Sequence, residues 1–433
     1  MNPNQIINIS KDFGSPFFYI KEKKIVENIK IFRDSFKEYK GKFSLGYSVK
    51  TNPQISVLRV MQENNVISEC CSYLDMASSI QAGYSGKDIV LAGLHKSEES
   101  LNFAVKNKIK IINIESLYEA TNLKKILLEK KIKIKVGVRI AFPAKTGIKS
   151  FLGVTYDRFG ASTKSNEAYN LINFIVNNQE CFELQGLHCH PGSNIKDPSK
   201  YRLAIDEMIK IYKYIKDTHG IEIKTINIGG GVGIEEVHFY SAIDLIINTC
   251  FRIFKKRRIY KSNSFKVKNL LNDIAKYLNE QFEANNVPYP EIMMEPGRAL
   301  IGNAIDIYAS IVNIKETESG RWLIIDCGTN LLPILTLFTE HHNIETINNN
   351  QKFLRYSIAG PLLYSSDVIA ANILLKESSI GDFIKISSVG AYFNSQSSHF
   401  IFARCASVNE KLDGSILLTE RKETFEDISL RNI

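Results

Sequence analysis

Several side chains in this sequence could do amine and carbonyl chemistry, and each stands at or just beyond the end of a short apolar run. Lys50 closes the run in YSVKTN. Apolar chain on both sides can desolvate an ammonium there and leave a nucleophilic amine, able to form a Schiff base. The bland alternative is an ordinary surface lysine. His188 and His190 alternate in GLHCH and so share one face of an extended strand. A pair at i, i+2 also fits zinc, but no third ligand stands nearby at metal spacing, and no metal is expected. Gly229, Gly230 and Gly231 in INIGGGVG leave backbone amides bare enough to approach a phosphate. Glycine triplets also make plain turns, and this one does not follow a first strand, as a dinucleotide fingerprint would. Glu295 is followed by Pro-Gly-Arg298. That acid and cation can pair with each other, or bind a ring nitrogen and a phosphate. A lysine, a ring-stacking histidine, a glycine cradle and an acid together point to pyridoxal 5'-phosphate.

These residues need a scaffold that brings strand ends together. Eight β-rich runs occur at 43–49, 66–70, 88–92, 110–114, 134–140, 183–190, 224–229 and 291–295. Amphipathic stretches such as 55–64, 73–83, 98–107 and 116–131 lie between them, with apolar residues at i, i+3 and i+4. Strand–helix alternation implies parallel strands, and eight such units make a (β/α)8 TIM-like barrel, whose active sites lie at the C-terminal strand ends. After Pro296 the runs at 304–314, 321–328, 353–360 and 382–392 read as strands without long helices between them. The expected organisation is an α/β barrel over 28–295 and a β-rich domain formed by 1–27 and 296–433, with PFFYI (16–20) as one of its strands and a helix over 23–36. Residues 235–272, rich in basic and aromatic side chains, read as a solvated insertion or, less readily, a patch for an anionic partner.

Composition sets the outer bounds. The chain has 433 residues, 44% of them hydrophobic, which is ample for a large core without disulfides. No apolar run is long enough to span a bilayer, and the start MNPNQIINISKDF lacks the pattern of a secretory signal. Seven cysteines, an odd number with no CxxC, fit reduced thiols and a cytoplasmic location. The net charge of +9 suits anionic small molecules, and no basic and aromatic face resembles a nucleic-acid module.

With these residues in view, the sequence resembles the fold-type III pyridoxal-phosphate decarboxylases, the diaminopimelate/ornithine decarboxylase family. The resemblance rests on YSVKTN, GLHCHPGSN, INIGGGVG, MEPGRAL, GPLLYSSD and VGAY, in the family's order. It implies Lys50 as the Schiff-base lysine and His190 as the histidine stacked on the pyridine ring. Ser193, Gly230, Gly231 and Arg298 would lie by the phosphate, and Glu295 would face the pyridine nitrogen. Tyr392 would reach the phosphate from the second domain, and Glu69 and Asp75 match acidic positions near the cofactor. Arg139 and Arg158 fall in motifs near the substrate. The resemblance also implies a head-to-tail homodimer in which the GPLLYSSD segment serves the partner's site.

The sequence departs from the family where substrate is read. Leu363 replaces the cysteine implicated in protonation, Tyr364 replaces an acid that helps read a distal ammonium, and Asp367 is kept. Leu332 stands where diaminopimelate decarboxylases carry an arginine for the distal carboxylate. A less polar pocket suits a diamino acid whose distal amine is capped as an amide, such as a citryl-ornithine type substrate of siderophore assembly. Tyr364 then becomes a candidate proton donor, with Lys50 itself as the alternative. The alternatives are decarboxylation of free diaminopimelate, ornithine or lysine; a catalytically inactive relative acting as a binding partner; and a racemase, which Glu295 disfavours because alanine racemases place an arginine there.

Overall fold

The computed structural model describes residues 1–141, 158–239, 265–337 and 340–432. Its contacts divide the chain into two compact units: Val26–Gly233 with Phe265–Leu300, and Met1–Ile25 with Ile234–Ser264 and Ile301–Ile433.

In chain order the strands are β1 (Phe17–Lys21), β2 (Phe43–Ser48), β3 (Ile67–Cys70), β4 (Ile89–Leu91), β5 (Ile111–Ile114), β6 (Ile134–Arg139), β7 (Phe182–His188), β8 (Thr225–Asn227), β9 (His238–Phe239) and β10 (Glu291–Met294). Strands β2 to β8 and β10 close a parallel barrel in the order β10-β2-β3-β4-β5-β6-β7-β8. They are short, and β4 and β5 are buried at every residue, as strands covered on both faces must be. Each expected barrel strand is present, shorter by one to three residues than its apolar run. Three successive barrel helices, Tyr73–Gln81, Glu98–Lys106 and Leu117–Lys130, start on serine caps: Ser72, Ser97 and Ser116 each accept the backbone amide three residues on. Register fixes which strand-end residues are neighbours. Ser48 is opposite Glu69, Arg139 is opposite His188, and His188 is opposite Asn227.

The second unit is built on a nine-stranded sheet. Its later strands are β11 (Ile305–Thr317), β12 (Gly320–Ile325), β14 (Ile344–Ile347), β15 (Phe353–Ala359), β16 (Val368–Lys376), β17 (Phe383–Ile386), β18 (Ala406–Glu410) and β19 (Ile416–Glu420); β13 (Glu340–His341) pairs with β9 instead. Strand β1 lies between β11, antiparallel, and β18, parallel. A helix over Pro3–Phe13, absent from the sequence expectation, begins on a capping box of Asn2 and Gln5. It buries Ile6 and Ile9 against Phe17, Tyr19, Tyr308 and Val408.

The 235–272 segment is not one insertion. His238–Phe239 form β9, and Val267 opens a barrel helix running to Ala284. The basic run over 240–264 lies outside the described residues. Among the described residues no helix is long and apolar enough to cross a membrane, and no cluster of His, Cys, Asp and Glu could hold a metal ion.

Candidate active site

The site grows from the C-terminal ends of the barrel strands. Lys50 sits in the 3-10 turn Val49–Thr51 that follows β2. Its Nζ donates to Cys71 Sγ at 3.9 Å, and the Cys71 thiol donates to Glu69 Oε1 at 3.3 Å. Glu69 is buried, and its Oε2 accepts from Ser48 Oγ at 2.6 Å. Asp75 does not join this cluster through its carboxylate. Its Oδ2 accepts from the Cys71 backbone amide at 2.8 Å, so it fixes the turn that carries Cys71. Burial pushes the Asp75 carboxyl up, against that backbone bond.

Across the mouth, Glu295 follows β10 and is buried. Asn227 donates its side-chain amide to Glu295 Oε1 and accepts the Gly229 amide at 2.9 Å. Burial pushes the Glu295 carboxyl up to about 7, while the Asn227 bond and Lys50 pull the other way. His188 Nε2 stands 3.3 Å from Glu295 Oε2, off the direction of a hydrogen bond, and neither of its buried ring nitrogens has a hydrogen-bond partner among the described residues. Burial lowers His188 and His190 to about 3, helped by Arg139 at the first and by Lys50 at the second, so both imidazoles are neutral at physiological pH. His190 Nδ1 accepts the Gly230 amide at 3.4 Å.

The glycine run must stay bare. A Cβ on Gly230 would stand 2.2 Å from the Glu295 carbonyl oxygen, and one on Gly231, whose φ is +92°, would stand 1.8 Å from the Gly192 carbonyl oxygen. Tyr201 donates to the Gly230 carbonyl at 2.7 Å, and the Ile195 amide donates to the Gly231 carbonyl at 2.7 Å. The second bond ties in the loop that carries exposed Ser193. Arg298, half-buried, opens the short helix Arg298–Ile301; just before it, a Cβ on Gly297 would meet Thr51 Oγ1 at 1.9 Å, so the segment after Glu295 runs against the turn of Lys50.

The β5–β6 side of the mouth is different. Arg139, expected near substrate, is committed to Glu115: Nη1 donates to Oε1 at 2.6 Å, and Glu115 Oε2 accepts the Gly160 amide at 3.0 Å. The guanidinium carbons of Arg139 and Arg158 lie 5.1 and 4.6 Å from the Phe159 ring centroid. One turn into the next helix, Glu119 pairs with Lys96 at 2.6 Å, and the Lys96 side chain is fully buried.

The second unit carries the remaining expected residues. Asp367, expected at the substrate, is buried and turned into its own loop. Its Oδ1 accepts the Thr329 amide at 2.7 Å and its Oδ2 the Leu362 amide at 2.8 Å. Its carboxylate thereby organises the GPLLYSSD segment. Leu363, at the tip, is 98% exposed, and Tyr364 stacks edge-on against Phe400. Leu332 is fully buried, so it lacks the arginine's charge and also offers no surface. Tyr392 is half-buried and holds φ +72°, a left-handed conformation for a residue with a Cβ.

Sequence reasoning missed Ser48, Cys71, Glu115 and Asn227. Ser48 precedes Lys50 by two residues and Asn227 precedes Gly229 by two, so strand alternation could have placed both. Glu115 and Cys71 needed the register of neighbouring strands.

The residues fit pyridoxal phosphate. The carboxyl of Glu295, pushed up by burial, would gain a counter-charge in a ring N–H, and the glycine run is a cradle from which side chains are excluded. A barrel with a lysine, a buried acid and a bare glycine loop at one mouth defines a pyridoxal-phosphate enzyme. The model of the pyridoxal-dependent decarboxylases, pyridoxal binding domain, matches residues 22–302, and the chain belongs to that family. It is 26% identical over 425 residues to the diaminopimelate decarboxylase of Aquifex aeolicus, covering 97% of this chain and 92% of the relative. The crystal structure of diaminopimelate decarboxylase from Methanocaldococcus jannaschii superposes with a TM-score of 0.87 at 25% identity, covering 99% of this chain and 94% of that one. A second structure of that enzyme, in complex with L-lysine, has a TM-score of 0.86 at 24% identity, with the same coverage. The chain is thus a pyridoxal-phosphate-dependent amino-acid decarboxylase.

Proposed function

We propose that this enzyme removes the α-carboxyl group of a free diamino acid of the diaminopimelate, ornithine or lysine class. The observation that carries the reading is the convergence of Lys50, Glu295 and the bare glycine loop at one barrel mouth. Its support for the substrate is that the relatives matched over nearly the whole chain are diaminopimelate decarboxylases. Bound pyridoxal phosphate supplies an electron sink for the pair left behind by CO2. Lys50 offers the amine that holds it. Gly230, Gly231, Ser193 and Arg298 would hold its phosphate, and Glu295 its ring nitrogen. Neutral His190 would orient the ring by contact, and Glu69, braced by Ser48, holds the polar environment of Lys50. Tyr392 and the 360–367 loop lie in the other unit, and we assign them to a homodimer in which they complete the mouth of a second copy.

A second reading has its own observation. Leu363 and Tyr364 present no carboxylate at the loop tip, and buried Leu332 contributes no cation. An ammonium buried without a counter-charge costs several kcal/mol. A diamino acid capped as an amide, of the citryl-ornithine type, avoids that cost. The test is kcat/KM for diaminopimelate, ornithine, lysine and citryl-ornithine on the pyridoxal-phosphate-loaded enzyme. Preference for any free diamino acid supports the first reading, and a hundredfold preference for the conjugate replaces it with the second. Mixing inactive Lys50→Ala and Asp367→Ala chains tests the shared site: hybrid dimers should regain part of the activity.

A further inference from the structure

The register that sets Ser48 opposite Glu69 has a second effect. Lys50 and Cys71 each stand two residues beyond that pair, on adjacent chain segments, and their side chains meet. The result is a continuous chain of hydrogen bonds. Lys50 Nζ donates to Cys71 Sγ at 3.9 Å, Cys71 Sγ to Glu69 Oε1 at 3.3 Å, and Ser48 Oγ to Glu69 Oε2 at 2.6 Å. Asp75 pins the Cys71 backbone from the other side at 2.8 Å, so the thiol is held in place before any ligand arrives. At the loop tip Leu363 presents an isobutyl group, which has no proton to give, and Tyr364 beside it is the competing donor: a normal Cys71→Ala enzyme would return the role to it.

We propose that Cys71 is a catalytic residue, its thiol delivering the proton that replaces the departing carboxyl group. The inference rests on the family's decarboxylation and not on the choice of substrate. CO2 leaves and its bonding pair stays with the α-carbon. That pair takes the proton from Cys71 Sγ to form the new C–H bond. The thiolate takes a proton from the neighbouring Lys50 ammonium, and water restores that one. One proton is consumed per CO2 released, and nothing is oxidised or reduced. Burial and Glu69 push the thiol up while Lys50 opposes them, so Cys71 rests protonated, as a donor must.

The test has two arms. In cofactor-free protein, the pH midpoint for iodoacetamide alkylation of Cys71 is followed by tandem mass spectrometry that separates it from Cys70. Lys50→Met should raise that midpoint and Glu69→Gln lower it, each by about one pH unit. Midpoints that ignore both substitutions overturn the proposal, and this holds even if no amino acid tried is turned over. In the loaded enzyme, Cys71→Ala should lower kcat by roughly two orders of magnitude with KM little changed. It should also strand cofactor as pyridoxamine phosphate through protonation at the wrong carbon, and Cys71→Ser should recover part of the loss. A Cys71→Ala enzyme with normal kcat and no stranded cofactor overturns the proposal.

Discussion

Two sides of one barrel mouth are built on opposite electrostatics. Around β5 and β6 the charges are paired: Arg139 with Glu115, and Lys96 with Glu119, all largely buried. Around β7, β8 and β10 the ionisable groups are driven toward neutrality, with His188 and His190 lowered to about 3 and Glu295 raised to about 7. A counter-charge fixes a buried group in place, although burial still pushes the Glu119 carboxyl up against the pull of Lys96, whereas a buried group without one gives up its charge. The second side is the one prepared to change when a ligand arrives.

The largest effect should fall on Lys50. Lys50→Ala should reduce turnover to background, and borohydride treatment of wild type should leave the pyridoxyl group on the Lys50 peptide. A reduced adduct mapped to any other lysine would falsify the assignment. On the paired side the effect should be on stability. Glu115→Ala leaves Arg139 buried without its partner and should cost about 3–5 kcal/mol, read by urea unfolding of the cofactor-free protein. If the loss is below about 1 kcal/mol, the pair is not the structural brace that the contrast requires.

Glu295→Gln should lower kcat by roughly two orders of magnitude, about 2.7 kcal/mol of barrier, because the amide cannot favour a protonated ring nitrogen. The same substitution has a pH-dependent effect on stability. The folded Glu295 carboxyl sits near 7, above its unfolded value of 4.5, so between those values the folded state holds the extra proton. Its contribution to stability is therefore full below pH 4.5 and lost as pH rises toward 7. The two histidines act in the opposite sense, losing stability as pH falls from 6.5 toward 3. Relative to wild type, Glu295→Gln should gain stability between pH 4.5 and 7, and a flat difference across that window counts against a raised carboxyl. The smallest effect is expected at Ser116, whose hydroxyl caps the helix carrying Glu119. Ser116→Ala should cost about 1 kcal/mol and leave kcat unchanged.

The barrel was legible because each of its strands is an apolar run bounded by polar chain, as in KIINI and EIMME, and the helices between them keep a 3.6-residue pattern. Lys50, Glu295 and the glycine run were legible because their residue types are unusual at strand ends. Glu115 was not. An acid before a serine cap reads as an ordinary helix start, and its partner Arg139 is 24 residues away, brought near only by the β5–β6 register. The loop-ordering bonds of Asp367 were not legible, since a sequence does not show that two backbone amides take up its oxygens. The helix Pro3–Phe13 went unread although Asn2, Pro3 and Gln5 mark its start; only Ile6 and Ile9 are buried from it, a short signal beside the long barrel helices.

The 360–367 loop separates shape from content. One carboxylate, that of Asp367, draws in the amides of Thr329 and Leu362, and the Gly360 amide bonds the Asp367 carbonyl at 3.1 Å. None of those bonds uses the side chain of Leu363 or Tyr364. The tip can therefore be rewritten without redrawing the loop, and a lineage can exchange thiol for isobutyl or carboxylate for phenol there at little cost to folding. Positions 363 and 364 can thus be changed without losing a bond that shapes the loop, which makes them the place to begin when testing what the enzyme prefers as substrate.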